Sequence, residues 1–156
     1  MSSELREKVE AELAQLHAML EPREPMVRRS LTEPVEIETL DALAALLHSF
    51  YTALERILLH VAKAEGELEG IKAKSETWHS SLLAAMTQPT GHRPPVVSDA
   101  LRDQLAEYLG FRHVFRHAYV HQLDWNRMKP LVGGLLPTLN LFEGELRAYL
   151  KRREPS

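Results

Sequence analysis

Residues 36–65, EIETLDALAALLHSFYTALERILLHVAKAE, decide the fold. Leu40, Leu43, Leu47, Phe50, Leu54, Ile57 or Leu58, and Val61 recur at a mean spacing near 3.5 residues across the stretch. That period, held this long, describes a long bundle helix with one apolar seam, which is stable only if other helices cover the seam.

The neighbouring segments supply the cover. Towards the N-terminus, Leu5, Val9, Leu13, Leu16 and Leu20 repeat at three and four residues and stop near Glu21-Pro22, where proline can no longer donate to the helix ladder. Residues 21–34 hold three prolines and read as a linker. Towards the C-terminus, beyond Gly66 and Gly70, Trp78, Leu82, Leu83 and Met86 form a shorter amphipathic helix, with Ser75 or Thr77 as its cap. Trp78 reads as a core anchor, and residues 89–95, with three prolines and a glycine, read as a loop. Ser98-Asp99 then caps a helix whose stripe is Leu101, Leu105, Tyr108 and Leu109. Past Gly110 the apolar positions become Phe111, Val114, Phe115 and Ala118, a rotation of the stripe by about 120° at 100° per residue, so a kink or break is expected at Gly110. A last helix starts near Asp124 or Asn126, tolerates Pro130, and bends at Gly133-Gly134 and Pro137. No segment alternates like a strand. The expectation is an all-α helical bundle of about five helices in one domain, 1–156, with a proline-rich linker at about 21–34.

Composition sets the outer limits. Apolar residues make up 44% and charged residues 26%, an ordinary globular balance, and no unbroken apolar run approaches the roughly 20 residues that span a bilayer. The charged first residues lack a secretory core, and no cysteine offers a disulfide framework, so a cytoplasmic protein without a membrane association is the simplest expectation. The net charge of −3 argues against a general nucleic-acid coat, yet it is unevenly placed: residues 1–110 carry −7 and residues 111–156 carry +4. Local fields, more than totals, draw in a polyanion.

The basic surplus coincides with the densest functional chemistry in the chain, FRHVFRHAYVH at 111–121, which holds two arginines, three histidines and a tyrosine. Histidine exchanges protons near neutral pH, and the guanidinium fork matches a phosphate. On a helical wheel the apolar face centres about 250° from Arg112, leaving Arg112, Arg116, His113 and His117 on the opposite face, with Arg112 and His117 on its two shoulders and Tyr119 beside Arg112. Such a pair can converge on a phosphodiester without metal or other cofactor. His117 would take the proton of a ribose 2'-hydroxyl and Arg112 would stabilise charge on the pentacoordinate phosphorus, leaving a 2',3'-cyclic phosphate. The 5'-oxygen that departs also needs an acid, for which His113, His121 or His117 of a second copy are candidates. Arg116 supports the basic face.

The spacing Arg112, four residues, His117, one residue, Tyr119, with Trp78-His79 and Arg93-Pro94-Pro95 upstream, resembles the HEPN superfamily and within it the HepT-like group. That resemblance spans about residues 54–131. It implies a helical ribonuclease toxin of a toxin–antitoxin pair, with Arg112 and His117 as catalytic residues, two protomers joining their motifs in one cleft, and a minimal nucleotidyltransferase partner that neutralises the toxin by attaching AMP to Tyr119. A second frame, Arg116 to His121, overlaps the first but has Leu123 where the tyrosine belongs, so the first frame is preferred.

Other readings of the same residues stay open. His113, His117 and His121 lie four apart, and a neighbouring pair could chelate zinc or nickel, although no glutamate accompanies them and two arginines beside them repel a cation. A non-catalytic bundle that only docks a partner nucleotidyltransferase would look alike in sequence.

Overall fold

A computed structural model describes residues 2–73, 77–117 and 123–154, and among these the regular structure is entirely helical. In chain order the helices are α1 (Ser2–Leu20), α2 (Glu24–Thr32), α3 (Ile37–Ala64), α4 (Leu68–Lys72), α5 (Trp78–Met86), α6 (Asp99–His117), α7 (Trp125–Gly133) and α8 (Leu135–Arg152).

The deciding stretch is α3, the hub of the bundle. Leu43, Leu47, Phe50, Leu54, Ile57, Leu58 and Val61 are buried as its period requires, and Ala44, Leu46, Tyr51, Glu55 and Ala62 are buried as well. The burial is wider than one seam because α1, α5, α6 and α7 all pack around this helix. By length and composition α3 would suffice to cross a membrane, which a search for unbroken apolar runs overlooks. Its apolar face is instead covered by neighbouring helices. Leu5, Val9, Leu13, Leu16 and Leu20 of α1 join the same buried cluster as Leu139, Phe142 and Leu146 of α8.

Three local expectations are corrected. Residues 21–34 are not a plain linker: a 3-10 turn over Glu21–Arg23 runs into α2. Pro22 and Pro25 both fall in the first turn of their elements, where a helix has no use for the missing N–H and φ near −65° is already helical. The last helix does not merely bend. It divides at Gly134 into α7 and α8, where a Cβ would lie 3.1 Å from both the Pro130 carbonyl and the Tyr108 hydroxyl. The division, with the short α2 and α4, raises the helix number above the five expected without changing the all-α class.

The third correction bears on the site. α6 runs unbroken through Gly110. Leu101, Leu105 and Tyr108 are buried, and the seam is continued by Arg112, which donates to Thr52 Oγ1 of α3 at 3.2 Å, and by Phe115, whose ring lies 5.3 Å from that of His48. Positions 101, 105, 108, 112 and 115 therefore keep one helical period. The apparent rotation arose because a polar side chain holds a seam position, and Val114, assigned to the apolar face, is 46% exposed.

Two of the expected caps are in place: Ser98 Oγ accepts from the Leu101 N–H at the start of α6, and Asp124 Oδ1 accepts from the Asn126 N–H at the start of α7. Thr77 holds the N-cap position of α5, but its side chain makes no cap hydrogen bond there, and Ser75 lies outside the described residues.

Candidate active site

The face of α6 turned towards α5 repeats at steps of three and four residues: Arg102, Ala106, Gly110, His113 and His117, with Arg112 and Arg116 alongside. Ala106 and Gly110 have almost no side chain, and a Cβ on Gly110 would meet nothing within 4 Å, so the middle of this face is low. Opposite it stand Thr77, His79, Ser80, Leu83 and Ala84 of the α5 segment. The result is an open cleft of about 690 Å³, within the range of ligand sites, with Arg102, Arg112 and Arg116 and three histidines on its walls. Among the described lining residues the one carboxylate is Asp103, which pairs with Arg102 at 3.3 Å. The cleft therefore suits an anion.

The structure thus brings Arg112, His113, Arg116 and His117 to one cavity. Their environments differ. Arg112 is half-buried against α3, whereas His113, Arg116 and His117 are exposed, with the rings of His113 and His117 4.6 Å apart. Arg112 is thereby fixed as a donor, and the two histidines keep access to solvent and solute. Tyr119 and His121 lie outside the described residues.

Charge from α6 is felt across the interface. Burial first, then Arg112 and Arg116, holds His48 below the ordinary histidine range, so the neighbour of these arginines on α3 stays neutral more readily than a free imidazole. Burial, followed by the nearby Glu55 carboxylate, pushes the Tyr51 phenol far above its usual value. On the α3 side, Arg112 therefore faces an imidazole and a phenol that favour their neutral forms.

Residues 42–153 match a family described as HepT-like protein, which is most of the chain and includes most of α3, all of α5 and α6, and the Arg112–His117 pair. The chain belongs to the HepT-like family. Searches of curated proteins and of solved structures gave no match. HepT-like proteins belong to the HEPN superfamily; as a family they are generally ribonucleases, set in a toxin–antitoxin context with a partner. The match begins after α1 and α2, although α1 contributes five leucine or valine side chains to the core of this HepT-like chain.

Residues that the sequence did not offer as site candidates also line the cleft. Arg102 adds a third guanidinium, with its Nε buried and without a partner among the described residues. His79 faces the HepT-like motif from α5, with its Nδ1 2.6 Å from Glu55 Oε2. The Trp78-His79 pair was visible as a landmark of the resemblance, but nothing in the spacing of Glu55 and His79 announces a contact between two helices.

Proposed function

We propose that this HepT-like protein is a metal-independent endoribonuclease toxin that cleaves RNA by 2'-hydroxyl attack. The observation that carries the reading is the placing of Arg112 and His117 on one anion-compatible cleft, with Arg102 and Arg116 available to neighbouring phosphates. His117 accepts the 2'-hydroxyl proton, a role worth about 10²- to 10⁴-fold. Arg112, held by Thr52 and by its place in the helix seam, stabilises the charge that develops on phosphorus.

The test is RNA cleavage in the presence of EDTA. Activity is expected to persist, and the 5' fragment is expected to end in a 2',3'-cyclic phosphate. A second reading has its own observation in the adjacent His113 and His117 rings, which offer two imidazoles to a zinc or nickel ion. Loss of cleavage on chelation, with a stoichiometric metal recovered from the protein, would replace the first reading by the second.

Two partners belong to the proposal. One is a second copy of the chain, as the family resemblance implies. Half-exposed Val114 borders an open groove of about 420 Å³ between α6 and α7, lined in part by Phe111, Leu123, Met128 and Leu131, and this is apolar surface that pairing would cover. Light scattering at micromolar concentration should give twice the chain mass; cleavage by a strict monomer would remove the need for a shared cleft. The other partner is a minimal nucleotidyltransferase. Copurified with it, the protein should gain mass in AMP units, and Tyr119→Phe should abolish the gain while sparing part of the RNA cleavage, since only the hydroxyl nucleophile is lost. A stable but unmodified complex would favour a docking module.

A further inference from the structure

The cleavage proposed above needs two proton carriers, and α6 offers an obvious base but no group marked out as the acid. α5 supplies a better-prepared side chain. Glu55 of α3 is 4% exposed, and its Oε2 lies 2.6 Å from Nδ1 of His79. A carboxylate oxygen only accepts, so Nδ1 donates and Nε2 is left as the ring's free nitrogen. The imidazole is also held by its face: it stacks on Trp78 with ring centroids 3.7 Å apart, and the Lys72 ammonium caps the indole at 5.3 Å from its centroid. The ring is therefore oriented at an edge and at a face, on the wall opposite His117. An imidazole fixed by a buried carboxylate is preorganised for proton transfer, and the pairing occupies Nδ1 alone, leaving Nε2 unused by it.

We propose that His79 is the general acid of this site and that Glu55 is its positioning residue; the assignment rests on the ribonuclease reading. The step balances without a co-reactant. The 2'-oxygen to phosphorus bond forms as the phosphorus to 5'-oxygen bond breaks, His117 takes the 2'-hydroxyl proton, and His79 gives its Nε2 proton to the departing 5'-oxygen. The two rings end with exchanged protonation and re-equilibrate with water. While His79 is doubly protonated, the Glu55 carboxylate supplies its countercharge. One chain then carries both roles, so the acid need not come from a second copy.

A leaving-group experiment separates this role from a structural one. An oligoribonucleotide with a bridging 5'-sulfur at the scissile position expels a thiolate, which needs no protonation. On the ordinary 5'-oxygen ester, His79→Ala should lose about a hundredfold or more in rate, from the usual size of general acid catalysis. On the 5'-sulfur substrate it should cleave close to the wild-type rate, whereas His117→Ala should be slow on both. Glu55→Gln, which keeps the shape of the buried side chain, should show the His79 pattern with a smaller loss, and it carries the test if His79→Ala fails to fold. Equal losses on the two substrates, or no loss on either, would overturn the acid role while leaving the ribonuclease reading standing. Wild-type protein that cleaves neither substrate would overturn the ribonuclease reading, and this assignment with it.

Discussion

His117→Ala and Arg112→Ala are each expected to lower RNA cleavage by about a hundredfold or more, the former as loss of the base and the latter as loss of the donor that faces the developing charge. The two should differ in what else they change. His117 is exposed, so its truncation opens no cavity and should leave the circular dichroism spectrum and melting temperature close to wild type. Arg112 is half-buried and donates to Thr52, so Arg112→Ala should also lower stability, by about 1 kcal/mol for one lost hydrogen bond. Arg112→Lys keeps the charge but not the fork, and should recover stability more than activity. The overlapping frame predicts otherwise: with Arg116 and His121 as the working pair, His121→Ala would be inactive and His117→Ala active. Side-by-side rates for His117→Ala and His121→Ala decide between the frames, and with them whether Tyr119 belongs to the catalytic motif.

How much of this was legible in the sequence depends on whether a feature is written along one helix or between two. The α3 seam, the C-terminal end of α1 and the cap at Ser98 are local, and periodicity with breaker and cap chemistry found them. The grouping of Arg112, His113, Arg116 and His117 is local too, because all four lie on two successive turns of one helix. Gly110 misled for a physical reason: a pattern that counts only apolar residues loses the seam when Arg112 occupies it, although a long polar side chain can fill a seam position once the facing helix offers Thr52 as a partner. The prolines of 21–34 misled because their effect depends on position within a turn, and two of them fall where a helix accepts them. The contact of Glu55 with His79 spans 24 residues and exists only because α5 lies across α3, so no spacing rule could reach it.

Arg93 gives the second large effect, in stability. Its side chain is fully enclosed, and it uses all five of its N–H groups: Nε and one terminal nitrogen grip Glu67 at 2.6 and 2.7 Å, and the remaining donors meet the carbonyls of Ala85, Gln88 and Pro94 at 3.1, 2.8 and 3.0 Å. The guanidinium thereby ties the start of α4 to the end of α5 and to the loop that leads into α6. Arg93→Ala would leave three carbonyls and the half-buried Glu67 carboxylate without their donor, at a cost of about 3 kcal/mol when the penalties of the unsatisfied groups are taken together. In a chain of this size that lowers the melting temperature by on the order of 10 °C. Arg93→Lys should fare little better, because three donors on a single nitrogen cannot serve acceptors arranged around a planar fork. Removing the stranded charge as well, in Arg93→Met with Glu67→Gln, should recover part of the loss, whereas a purely steric role for Arg93 would make the two changes additive. Because α5 and α6 form the two walls of the cleft, Arg93→Ala should also reduce cleavage at temperatures well below its own melting point, through loss of alignment between His79 and the α6 motif.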